Sequence, residues 1–195
     1  MILVSWNSRV LGFALKLNAT RDLIKQEQSD ILMVEETKIS NQEFQNLIAI
    51  QKNYEGISID SNRASGGIGT LWNKWNWELV SQKLNSSWVR TNLTKKNTNV
   101  KCTIVNIYSP NHYEDKALCW ESLKEEVQDV QINNLVIGGD LNLIRNIEEK
   151  LGGKYFGDPS RVALEDIIVE HKLLDIPPSN GKFTWSNKRA GAHES

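Results

Sequence analysis

Apolar positions along this chain change their period several times, and each change marks an element. Residues 2–6 (Ile-Leu-Val-Ser-Trp) form a short apolar run ending at Asn7, the pattern of a buried strand. Asn18 or Thr20 can cap a helix running to about Gln28, with Ala19, Leu23 and Ile24 on its inner face. Residues 31–34 repeat the apolar run and end in Glu35-Glu36-Thr37-Lys38. Strand, helix and strand of this length make a crossover unit, so the two strands are expected to be parallel, with Asn7 and Glu36 neighbours at one edge. Ser40 opens a second helix through about Ile50. From Tyr54 the period becomes two, with strands expected at 54–59, 67–72, 77–84, 88–93 and 100–108 as one antiparallel meander. Residues 114–130 carry Trp120, Leu123, Val127 and Val130 on one helical stripe. Leu135-Val136-Ile137 then reads as a strand buried on both faces, stopped by the turn-forming pair Gly138-Gly139 ahead of Asp140 and Asn142. Asp158-Pro159 starts a last helix with Ala163, Leu164, Ile167 and Ile168 inside, ending near Leu174 ahead of Pro177-Pro178. Residues 182–186 look like one more strand.

The polar residues at these strand ends carry the candidate chemistry. Asn7, Glu36, Tyr108 with Ser109, and Asp140 with Asn142 each sit where an apolar run stops, and strand-end convergence in a layered α/β domain is where sites form. Taken singly, each is also an ordinary turn or loop residue. Ser65-Gly66-Gly67-Ile68-Gly69 lacks the Lys-Ser/Thr of a phosphate-binding loop and reads as a hairpin turn. Trp72, Trp75, Trp77 and Trp88 are assigned to packing rather than to base stacking.

Composition narrows the ligand. The 195 residues suit one domain, 1–195, and 39% hydrophobic with 24% charged residues is a globular balance. Net charge is -1, so no global basic field draws in nucleic acid, and a phosphate must be met locally, with a bound divalent cation able to supply positive charge. Cys102 and Cys119 fit neither a disulfide framework nor a metal-ligand spacing. Met1 leads straight into apolar residues without a basic leader, and no apolar run approaches membrane length, so an intracellular protein that does not engage a membrane is expected.

Five motifs, Ser5-Trp6-Asn7, Glu36-Thr37-Lys38, Ile107-Tyr108-Ser109-Pro110-Asn111, Gly139-Asp140-Leu141-Asn142 and Phe183-Thr184-Trp185, occur in an order and spacing that resembles the endonuclease/exonuclease/phosphatase superfamily of DNase I-like proteins. Within it the chain is similar to the apurinic-type endonuclease domain at the front of plant non-LTR (LINE-type) retrotransposon polyproteins. The resemblance implies a four-layer α/β sandwich, two mixed β-sheets face to face with helices outside, and hydrolysis of a DNA phosphodiester with Mg2+ or Mn2+. It implies that Glu36 holds the metal with Asn7 beside it, that Asp140 orients or deprotonates the attacking water, and that Asn142 positions Asp140 and a phosphate oxygen. Tyr108 would donate to the phosphate, with Lys38, Arg9, Ser109, Trp185, Ser186 and Asn187 meeting the DNA. It further implies a monomeric, nuclear target-site nickase fused to a reverse transcriptase in the parent polyprotein.

Two positions depart from that pattern. Arg9 stands where the apurinic enzymes carry an acidic residue, and the family's Ser-x-x-Asp strand and closing Ser-Asp-His would fall after Ser195. On this reading the domain is incomplete, its last strands missing, and its activity impaired. The alternatives are a non-catalytic retroelement remnant with weak cation or nucleic-acid binding, and a phosphatase of the same superfamily.

Overall fold

The computed structural model describes residues 1–9, 11, 14–62, 65–131, 134–151 and 157–177. Eight strands form two mixed four-stranded sheets among these residues. The first sheet takes β1 (Leu3–Asn7), β2 (Ile31–Glu35), β3 (Tyr54–Asn62) and β4 (Ser65–Asn73) in the order β1-β2-β4-β3. The second takes β5 (Trp77–Asn85), β6 (Trp88–Lys95), β7 (Lys101–Tyr108) and β8 (Leu135–Asp140) in chain order. The expected crossover is present: β1 and β2 are parallel, with Asn7 opposite Glu35. A second parallel pair, β7 with β8, ends with Tyr108 opposite Asp140.

Period-two alternation sorts the side chains into layers. On β2, Ile31 and Met33 face the other sheet and pack with Trp72 of their own sheet on Trp77, Leu93, Cys102 and Ile104 of the second. Leu32 and Val34 face the opposite way, onto Phe44, Leu47 and Ile48 of α2 (Asn41–Ile50) and Ile24 of α1 (Ala14–Glu27). The second sheet is covered likewise: Val105 and Ile107 pack on Trp120, Leu123 and Val127 of α3 (Tyr113–Val127) and on Ala163, Leu164 and Ile167 of α4 (Ser160–His171). Helices, sheet, sheet and helices make the four layers that were expected. A buried bond from Asn106 Nδ2 to the Gly69 carbonyl, 2.9 Å, ties the sheets together from within.

Several elements differ from the pattern-based expectation. The meander breaks at residues 74–76, because β4 and β5 lie in different sheets: Trp72 and Trp77 bury into the same inter-sheet core from opposite sides of the turn. Trp75, at the tip, is 68% exposed rather than packed. β8 does not stop at its glycines but runs through them to Asp140, and most of it is only half-buried. Helix α1 begins at Ala14, since Ala14, Leu15, Lys16 and Leu17 are all strong helix formers, and Thr20 is buried inside the helix instead of capping it. Helix α3 ends at Val127, yet Val130 still buries against the same core. Helix α4 ends at His171 because Lys172 turns left-handed (φ 51°). The strand expected at 182–186 lies outside the described residues.

Candidate active site

The parallel pairs bring four strand ends to one edge of the sandwich, and the Asn7 side chain reaches both sheets there. Asn7 Nδ2 donates to Glu36 Oε1 at 2.9 Å and to Asp140 Oδ2 at 2.7 Å. Its oxygen accepts the Arg9 backbone N–H at 3.0 Å. The amide is therefore a rigid bridge between a carboxylate after β2 and one at the end of β8, contributed by different sheets.

Local sequence explains how Glu36 is aimed. The chain after β2 is held by Ser8, whose Oγ donates to the Glu35 carbonyl (3.0 Å) and the Glu36 carbonyl (3.2 Å). On the other side Thr37 and Lys38 donate their N–H groups to the carbonyls of Gly67 and Gly66. A Cβ on Gly67 would lie 2.3 Å from Thr37 Oγ1, so the glycine-rich hairpin serves as a seat for the 36–38 loop. Ser40 then closes a capping box with Glu43 and starts α2. Of the seven described non-glycine residues with positive φ, Arg9, Glu36, Lys38 and Asn142 surround this edge. Such backbone costs roughly 1–3 kcal/mol per residue and persists where the surroundings enforce it.

Tyr108 and Asn142 complete the cluster. Burial pushes the Tyr108 hydroxyl up to about 12, reinforced by the charges of Glu36 and Asp140 and by its own bond to Glu36, so it stays protonated and can donate. Asn142 N–H donates to Asp140 Oδ1 at 3.3 Å, and its side-chain amide donates to the Ser109 carbonyl at 2.6 Å. Lys38 Nζ stands 3.9 Å from Glu36 Oε2 and is partly exposed, while Arg9 is exposed at the rim. Ser109 is fully buried, with its Oγ within reach of the Cys119 thiol, so it serves the site through its backbone and its hydroxyl does not face solvent. Trp185, Ser186 and Asn187 lie outside the described residues.

One carboxylate here was not singled out from the sequence. Glu35 follows Ile31 and Met33 onto the inter-sheet face of β2 and is 1% exposed. Its side chain bonds Ser5 Oγ at 3.2 Å; burial, with the nearby charge of Asp140, raises its carboxyl to about 8. The period of two that places Ile31 and Met33 inward was the signal for it.

The donor set suits a hard cation. Glu36 and Asp140 offer carboxylate oxygens, with the Asn7 amide turning its nitrogen to both, and Mg2+ binds through one or two carboxylates while keeping much of its water. Among the described residues no three His, Cys, Asp or Glu side chains form a cage by themselves, so the fit is to a partly hydrated ion and not to a closed structural site.

Comparison with known proteins agrees with this architecture. The model of the Endonuclease/Exonuclease/phosphatase family matches residues 4–187. No protein of curated function matches by sequence. Among solved structures the chain is similar to an AP endonuclease from Archaeoglobus fulgidus (TM-score 0.67, 17% identity, 87% of this chain and 70% of that one). It is also similar to the 3'-5' exonuclease NExo from Neisseria meningitidis (TM-score 0.70, 14% identity, 87% and 71%). A third is the Neisseria 3' phosphatase NExo bound to product DNA hairpin (TM-score 0.61, 15% identity, 75% and 60%). The chain spans only 64% of the human Nocturnin catalytic domain and 60% of that DNA-bound phosphatase.

Proposed function

The chain belongs to the endonuclease/exonuclease/phosphatase family, and from that premise we propose that it is a phosphodiesterase acting on DNA with the help of a divalent cation, Mg2+ or Mn2+. The observation that carries this reading is the Asn7 amide held between Glu36 and Asp140, three groups 133 residues apart at the extremes and drawn from both sheets. Packing alone does not require two carboxylates to share one amide at a sandwich edge. In the proposed roles Glu36, with Asn7 beside it, holds the cation. When bound, that ion supplies the positive charge against which negative charge on the phosphate develops, which a chain of net charge -1 lacks. Asp140, fixed through both oxygens by Asn7 and Asn142, accepts a proton from the attacking water and aims it. Tyr108 donates its hydroxyl to a phosphate oxygen. Lys38 and Arg9 meet the flanking phosphates.

The finer reading rests on the five sequence motifs: a retrotransposon-derived, LINE-type domain that nicks target DNA in the nucleus as a monomer, joined in its parent polyprotein to a reverse transcriptase. Nicking of DNA by the chain is the expected outcome. Supercoiled plasmid with Mg2+ is the test, against chelator and against Glu36→Ala and Asp140→Ala. Each substitution is expected to lower the rate by at least 10²-fold. Nicking that survives both removes the assignment, and turnover of inositol phosphates in place of DNA would favour the phosphatase branch of the family.

A further inference from the structure

Lys116 lies in the first turn of α3, is buried, and has two partners. Its ammonium donates to the Asn142 carbonyl at 2.6 Å and to Asp158 Oδ2 at 2.8 Å. Asp158 in turn accepts the Ser160 N–H at 3.0 Å and so ties the pair to the start of α4. Burial alone would raise the Asp158 carboxyl, but the bonds from Lys116 and Ser160 outweigh it and keep the group ionised. The pair is thus a closed ion pair with no net charge to lend the site, and its contribution there is geometric.

The geometry ends on Asp140. A lysine serving only as an anchor for α4 would need Asp158 alone, whereas the second bond grips the carbonyl of a residue held at φ 45°. That backbone turn places the Asn142 side-chain amide against the Ser109 carbonyl, in the same residue whose N–H meets Asp140 Oδ1. Released from Lys116, residue 142 can relax toward ordinary φ and the 141–142 peptide that carries its N–H is free to turn away, leaving Asp140 with the Asn7 bond. We propose that Lys116 and Asp158 form a buried strut that positions Asp140 through Asn142, which makes Lys116 a positioning residue for the reaction. The inference rests on the reading of Asp140 as the group that aims the water.

The test uses the full 195-residue chain. With Mg2+ and supercoiled plasmid, Lys116→Met is expected to lower kcat by about 10- to 100-fold with KM within about twofold, the scale of a small misplacement of a reacting group. Lys116→Arg, which restores a donor, should recover most of the loss. A kcat for Lys116→Met within twofold of the parent, or a loss that Lys116→Arg does not recover, overturns the proposal. A second readout is independent of turnover. The side-chain amide signals of Asn142 in two-dimensional NMR, identified by their disappearance in Asn142→Ala, should shift and exchange faster in Lys116→Met. Unchanged Asn142 signals overturn the strut whether or not the parent nicks DNA, while a parent inactive with Mg2+ but with shifted signals in Lys116→Met retains the strut and removes only the functional reading. Should Lys116→Met fail to fold, Asp158→Asn, which keeps the lysine and loosens its hold, carries the same comparisons with a smaller effect.

Discussion

Glu35 and Glu36 are adjacent in the chain and opposite in environment. Glu36 turns out to the edge shared with Asn7, whereas Glu35 points into the space between the sheets, where burial and Asp140 raise its carboxyl to about 8. An unfolded glutamate ionises near 4.5, so below that pH the group is protonated in both states and neutral for stability. As pH rises from there through 8 the unfolded chain gives up the proton first, and stability falls across that window. The loss by pH 9 is on the order of 4–5 kcal/mol, or roughly 10 °C in Tm for a chain of this size. Thermal melts in chelator at pH 6 and pH 9 should show a steep decline for the parent protein and a much shallower one for Glu35→Gln; parallel declines would contradict this. Glu36 is legible in the sequence because an acid just past an apolar run is conspicuous. Glu35 is not, because the same residue closes the strand as charge and, by alternation with Met33, enters the core.

At the scale of elements, the crossover of β1 and β2 is legible because a helix between two short apolar runs gives the length that a parallel pair needs, and it correctly makes Asn7 and Glu36 neighbours. The break of the meander at 74–76 is not. A turn within a hairpin and a turn between sheets use the same residues, and what separates them is that Trp72 and Trp77 meet in one core, a tertiary fact. Gly138-Gly139 was misread for a related reason: glycine signals both turns and close approaches. Here Gly139, at φ 121°, lets β8 run on beside β7, where a Cβ would lie 2.1 Å from the Ile107 carbonyl oxygen. Backbone cannot yield as a flexible side chain does, so Gly139→Ala is expected to destabilise by roughly 2–4 kcal/mol in urea unfolding, with nicking reduced further because Asp140 is the next residue. A variant within 0.5 kcal/mol of the parent would show that β8 can shift freely, and with it Asp140.

For the whole molecule, the proposed cation position matters because it lies on the seam between the sheets. Glu36 belongs to the first sheet's edge and Asp140 to the second's, and the Asn7 amide links their charges. Two carboxylates around one neutral amide repel, and an ion that binds only the folded arrangement stabilises it by mass action. At a concentration about 100-fold above Kd this amounts to about 2.7 kcal/mol, or roughly 5–10 °C in Tm for about 200 residues. Protein stripped with chelator and titrated with Mg2+ or Mn2+ should therefore melt progressively higher, and excess chelator should reverse the shift. Glu36→Ala removes a carboxylate from the set and should abolish the dependence on the ion. An equal ion-induced shift in Glu36→Ala would place the binding elsewhere.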